Sequence, residues 1–275
     1  MNRERPTLAT RVGHAEWGDN QFCGHSVARE LAGSESASAL IALGIGGRRV
    51  TDDERRMLDD VASVLSAADP RIWQFKLIRI ASAYGGCNAA VAALTVSLED
   101  APIGHHTAGR AAEMLRRLRD EVSPGGVSPF DVDDSVVERQ CRALLVDNGR
   151  PPGFWVPFRP RDERVDLLAQ RVAALGRGEL PYWRLFEKVS DVFWRIGNVR
   201  PNIPAALAAV GLDMGFSPAQ IGPLMTALGA AGFWANAFEG SQQAAACLQV
   251  LPRDNVRYVG PAPRMSPRAV RAMTK

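Results

Sequence analysis

The chain has 275 residues, 46% hydrophobic and 23% charged, with a formal net charge of +3. That composition describes a globular chain of one large domain or two modest ones. It excludes a strongly basic nucleic-acid binder, and no window reaches the roughly 18 uninterrupted apolar residues of a membrane span.

Residues 1–24 read as an irregular arm, broken by Pro6, Gly13, Gly18, Asn20 and Gly24. A helical turn or two follows at Ser26 to Leu31. Ser34 to Leu43 has helical spacing and is stopped by Gly44, Gly46 and Gly47. Thr51 then opens the cleanest helix: Thr51 and Glu54 form a capping-box pattern, and Met57, Leu58, Val61 and Leu65 make the apolar stripe. Asp69-Pro70 ends it. Ile72 to Ala83 and Cys87 to Leu98 predict two further helices, joined through Tyr84-Gly85-Gly86.

Thr107 to Val122 is amphipathic, with Arg116, Arg117 and Arg119 as a solvated face. Asp134 to Val146 is helical, Asp147 to Pro160 is the longest irregular stretch, and Arg161 to Leu175 and Tyr182 to Ile196 are helices. A proline-locked polar turn, Asn198 to Pro204, feeds the Ala-rich run Ala205 to Val210. An apolar run capped by Ser217 continues to Gly240, and Gln242 to Val250 closes the core. No alternating strand or internal repeat stands out. The fold class is therefore all-α.

Cys23, Cys87, Cys141 and Cys247 lie far apart with no CxxC pair, which fits a reducing cytoplasm rather than a zinc knuckle. Met1 to Pro6 lacks an apolar h-region, so no signal peptide is expected. The four histidines are His14, His25, His105 and His106; the last two are adjacent and cannot share one metal ion from a helix. No metal site is expected. Serine-hydrolase, Walker and dinucleotide glycine patterns are absent. Three turns remain as places for chemistry: Tyr84-Gly85-Gly86, the Arg- and aromatic-rich Gly153 to Arg164, and Asn198 to Pro204. Arginines beside exposed backbone N–H groups suit carboxylates and phosphates, and aromatic rings suit a purine. A packed loop with surface arginines is the competing reading.

Gly85-Gly86-Cys87-Asn88-Ala89-Ala90-Val91 resembles the "HGGANEAV" segment of citrate synthases. Pro152-Gly153-Phe154 with Asp162-Glu163-Arg164 resembles "PGFGHRVY…DPR", and Pro201-Asn202-Ile203 resembles "PNVDFY". Leu228-Gly229-Ala230-Ala231-Gly232 through Ala235-Asn236 resembles the "R-x-x-G-x-x-A-H" helix. The order agrees over about residues 24–264, and the length is closer to citryl-CoA lyases. The resemblance implies a large helical domain, 1–86 plus 201–275, around a smaller one, 87–200, in a homodimer. It implies a coenzyme A thioester as substrate, a small carboxylic acid as the second ligand, and no tightly bound cofactor. In the family, a His and an Asp move protons as the acyl group becomes an enolate, a second His activates the keto group, and arginines hold carboxylates.

This chain keeps few of those groups. Tyr84 stands at the first His position, Pro204 at the Asp, Gly229 at one Arg and Asn236 at the helix His; the remaining His falls near Val156. The candidate catalytic residues are accordingly Tyr84, Asn202 and Glu239. Arg164, Asn236, Arg159 and Arg161 are candidates for substrate carboxylates, and Pro152, Gly153, Phe154 and Arg200 for coenzyme A. Two functions follow from the resemblance. One is an enzyme making or breaking a C–C bond at the acyl α-carbon by altered chemistry. The other is a non-catalytic ligand-binding relative, with an active family subunit as a candidate partner.

Overall fold

The computed structural model describes residues 8–66, 72–88, 91, 106–122, 134–156, 159–243 and the isolated positions 254, 257, 259 and 260. Most of the expected 87–98 and 242–250 helices, His105 and the Asp69-Pro70 stop lie outside them. Among the described residues the chain is helical apart from one small sheet at its start. The expected irregular arm is in fact this sheet: β1 (Gly13–His14), β2 (Gln21–Phe22) and β3 (His25–Ser26), antiparallel in that order. Two-residue strands carry too little alternation to show in a sequence. A single π-helical turn, Val27–Leu31, follows, capped by the Ser26 hydroxyl.

Helix α1 (Ala37–Gly46) starts on the Ser36 cap and runs through Gly44 and Gly46, ending only at left-handed Gly47. Of the three glycines expected to stop it, Gly47 does, and Gly44 and Gly46 are packing positions. A Cβ at Gly44 would lie 3.0 Å from the Phe22 ring, and one at Gly46 would lie 2.7 Å from the Phe216 ring. Helix α2 (Asp52–Leu65) has the reciprocal Thr51–Glu54 capping box and buries the Met57, Leu58, Val61, Leu65 stripe. Next come α3 (Trp73–Tyr84), α4 (His106–Val122), α5 (Asp134–Asn148), α6 (Glu163–Ala174), α7 (Pro181–Gly197) and α8 (Ile203–Asp213). The apolar run from Ser217 is broken: α9 (Pro218–Leu228) ends at Gly229, and α10 (Ala230–Ser241) starts anew.

Helix α8 is buried on all sides, from Ile203 to Leu212. It packs against α4 and α7, and α4 also packs against α9, where a Cβ at Gly109 would come 2.9 Å from the Pro218 carbonyl. This first core joins α1, α2 and α4 to α9, so helices on both sides of positions 86/87 and 200/201 share it. A second, smaller core lies between α3 and α10: Phe75, Ile78, Val91, Phe233 and Ala237. At Gly240 a Cβ would sit 2.6 Å from the Arg79 carbonyl, so α10 approaches the α3 backbone directly. No helix among the described residues is long and apolar enough to cross a membrane.

Candidate functional site

The proline-glycine turn and the start of α8 form one unit. Pro151 accepts from the Phe154 N–H at 3.0 Å, Trp155 N–H donates to the Arg200 carbonyl at 2.8 Å, and Asn202 N–H donates to the Gly153 carbonyl at 2.8 Å. Phe154 and Pro201 thus form an isolated antiparallel bridge. The Asn202 amide completes the clasp: Oδ1 accepts from Ile203 N–H at 2.8 Å, and Nδ2 donates to the Trp155 carbonyl at 3.2 Å. Gly153 is required twice over. Its φ is +78°, and a Cβ there would fall 2.7 Å from the Ala205 nitrogen.

Asp162 ties this clasp to α6. It is the N-cap of α6, only 5% exposed. Its carboxylate accepts from Arg164 Nε at 2.9 Å and Nη2 at 2.8 Å, and from Ile203 N–H, the first turn of α8, at 3.0 Å. Burial pushes the Asp162 carboxyl up, but the Arg164 hydrogen bonds and charge, with the Ile203 and Arg164 backbone N–H groups, outweigh it. The net result holds it below the usual carboxylate range. One carboxylate therefore fixes the N-termini of two helices.

Two arginine–tryptophan stacks stand on the surface of the clasp. Arg150 lies 4.0 Å over the half-exposed Trp155 ring, and Arg200 lies 3.7 Å over Trp194. Trp155 is held at φ +86°, rare for a non-glycine residue. Phe154 points the other way, buried with its ring 4.8 Å from Phe193. Arg159 and Arg161 are exposed and pair with Glu163 and Asp166 of α6, the second at 3.3 Å.

A separate polar group sits on the second core. Arg79 of α3 donates to Glu239 at 2.7 Å and to Asn236 at 3.3 Å. Asn236 is buried and donates to the Gly232 carbonyl at 2.9 Å. The hydrogen bond from Arg79, and then its charge, hold the Glu239 carboxyl below its ordinary value. Tyr84 is exposed at the end of α3.

No family model matches the sequence, and no curated protein matches it. Solved structures do match. A citryl-CoA lyase from Hydrogenobacter thermophilus superposes with TM-score 0.76 at 20% identity, covering 97% of this chain and 100% of that one. An ATP citrate lyase mutant from Methanosaeta concilii, in complex with (3S)-citryl-CoA, gives TM-score 0.72 at 14% identity. There the match covers 98% of this chain and 44% of the lyase. A citrate synthase from Thermoplasma acidophilum, in ternary complex with carboxymethyl coenzyme A and oxaloacetate, gives TM-score 0.62 at 19% identity over 85% of this chain and 59% of that chain.

The chain has the citrate synthase fold. Within this citrate synthase-like chain, Pro152, Gly153, Phe154, Arg200 and Asn202 share the clasp, and Arg164 adjoins it through Asp162. Tyr84, Asn236 and Glu239 belong instead to the α3–α10 pair. The geometry bears on two of these positions. Phe154 is buried in the aromatic core against Phe193, whereas Trp155, the next residue, is half-exposed with Arg150 stacked over its ring. Arg164 presents its Nε–Nη2 edge to the Asp162 carboxylate, so that edge already holds an anion. Sequence reasoning quoted Asp162 within a motif but gave it no role, although Asp at the start of a helical period is a capping signal. It also passed over Arg79, whose partners lie about 160 residues away and leave no local trace.

Proposed function

We propose that the chain acts on a coenzyme A thioester, forming or cleaving a C–C bond between the acyl α-carbon and a keto-acid carbonyl. The clasp carries this reading. It is tied by backbone pairing, it lies on the citrate synthase fold, and it carries two half-exposed tryptophans, each with an arginine stacked over its ring. Tryptophan faces suit a purine, and guanidinium groups suit phosphates and carboxylates. The solved relatives' own ligands, citryl-CoA and carboxymethyl coenzyme A, support the same assignment.

No described histidine lies in the clasp, and the mechanism we infer uses other groups. The proposed donors to a developing enolate or keto oxygen are the second N–H of Asn202 Nδ2 on the clasp and the Tyr84 hydroxyl at the end of α3, and their approach to one oxygen is itself part of the proposal. Glu239, ionised and held by Arg79, is the proposed proton acceptor, and we infer a homodimer from the family resemblance. Free Cys23, Cys87 and Cys141 support a reducing compartment.

The second reading, a ligand holder without catalysis, is favoured by the pairing of Arg164 with Asp162 and of Arg79 with Glu239. Incubation with acetyl-CoA in deuterated water separates the two. Exchange of the α-protons supports the enzyme. Binding without exchange supports the holder, and neither binding nor exchange removes both.

A further inference from the structure

Four donors converge on the buried Asp162 carboxylate. Oδ1 accepts from the Arg164 backbone N–H at 3.1 Å and from Arg164 Nε at 2.9 Å. Oδ2 accepts from Arg164 Nη2 at 2.8 Å and from the Ile203 N–H at 3.0 Å. The Ile203 N–H is shared, because Asn202 Oδ1 also accepts from it at 2.8 Å. One hydrogen-bonded path therefore runs from the Trp155 carbonyl through the Asn202 amide and the Ile203 N–H to Asp162 and Arg164.

An N-cap needs only one side-chain oxygen on one backbone N–H, and Oδ1 on the Arg164 N–H supplies that for α6. The other bonds do something else: they set the direction of a guanidinium relative to the clasp. Bidentate pairing removes the rotation that an arginine fork otherwise keeps. The Arg164 side chain is nonetheless 27% exposed, and its Nη1 has no acceptor among the described residues.

We propose that Asp162 is a positioning residue, holding Arg164 so that the outer end of its fork, Nη1, receives a carboxylate of the second ligand. This rests on the proposed action on a coenzyme A thioester and a keto acid. It assigns Asp162 a part in ligand recognition beyond capping, exerted through Arg164.

Calorimetric titration of the full chain with oxaloacetate is the test, with coenzyme A titrated in parallel. Asp162→Asn is expected to weaken oxaloacetate about tenfold. Charge alone gives the opposite sign, because removing a carboxylate beside Arg164 favours an anion. Arg164→Lys, which keeps the charge and the Asp162 caps but loses the fork, also weakens oxaloacetate about tenfold. That variant keeps the test open where Asp162→Asn lowers the folded fraction. In the Arg164→Ala background Asp162→Asn causes no further loss, since its effect runs through the guanidinium. Coenzyme A binding is retained in each variant. Further loss of oxaloacetate affinity in the Arg164→Ala background, as a purely structural cap would give, overturns the proposal. So does unchanged or tighter binding in Asp162→Asn, or full affinity in Arg164→Lys. Absence of saturable oxaloacetate heat overturns it too: if coenzyme A still binds, the thioester reading survives, and if neither binds, both fall.

Discussion

Gly153 concentrates the account at the residue scale. Its φ of +78° and its 2.7 Å approach to the Ala205 nitrogen leave no space for a methyl group. Gly153→Ala is expected to cost about 2–4 kcal/mol, read as a lower urea midpoint. Two carboxylates should respond to pH with opposite signs. Asp162 has a lowered pKa in the folded state. Its contribution is therefore complete above the unfolded value near 4 and is lost as pH falls through the folded one. Asp213 behaves the other way. Burial pushes it up to about 6, against the lowering by the Tyr182 and Trp183 N–H groups it accepts from at 2.8 Å. The folded chain then binds a proton more tightly than the unfolded chain, so this site's stability is present below pH 4 and lost as pH rises from about 4 to 6. Asp213→Asn should remove that slope, measured as unfolding free energy between pH 4 and 6.5; an unchanged slope would refute the assignment. Burial and then Glu138 raise the Cys141 thiol to about 12, so it should stay unalkylated at pH 8 while the chain is folded.

Elements with strong local signals were legible in the sequence. The α2 capping box, the α4 and α7 stripes and the Ser217 cap all appear where their residues predict. What was not legible depends on distant partners. Gly44 and Gly46 read as stops, yet Phe22 and Phe216 occupy the space their side chains would need and α1 continues. Gly240 is a third such contact, against the Arg79 backbone. Gly240→Ala should therefore force α10 away from α3 at a cost of about 1–3 kcal/mol. Hydrogen exchange should quicken in α3 and α10 while α4, α8 and α9 remain protected. Equal loss of protection everywhere would show that the two cores unfold as one.

At the scale of the whole molecule, the all-α citrate synthase architecture was readable because four weak motifs occur in order. The arrangement of the site was only half readable. Pro152 to Asn202 converge through backbone pairing that adjacent glycine and proline positions imply, whereas Tyr84, Asn236 and Glu239 lie on the other core. Sequence order could not show that division, because α3 and α10 lie far apart in the chain, with Arg79 and Asn236 separated by 157 positions. Coenzyme A is the ligand the clasp is proposed to hold. Isothermal titration of the full chain with coenzyme A and acetyl-CoA tests this directly. Saturable binding is expected, weakened about five- to tenfold by each of Arg150→Ala and Arg200→Ala. No heat with either ligand, or affinity unchanged in both variants, would contradict it.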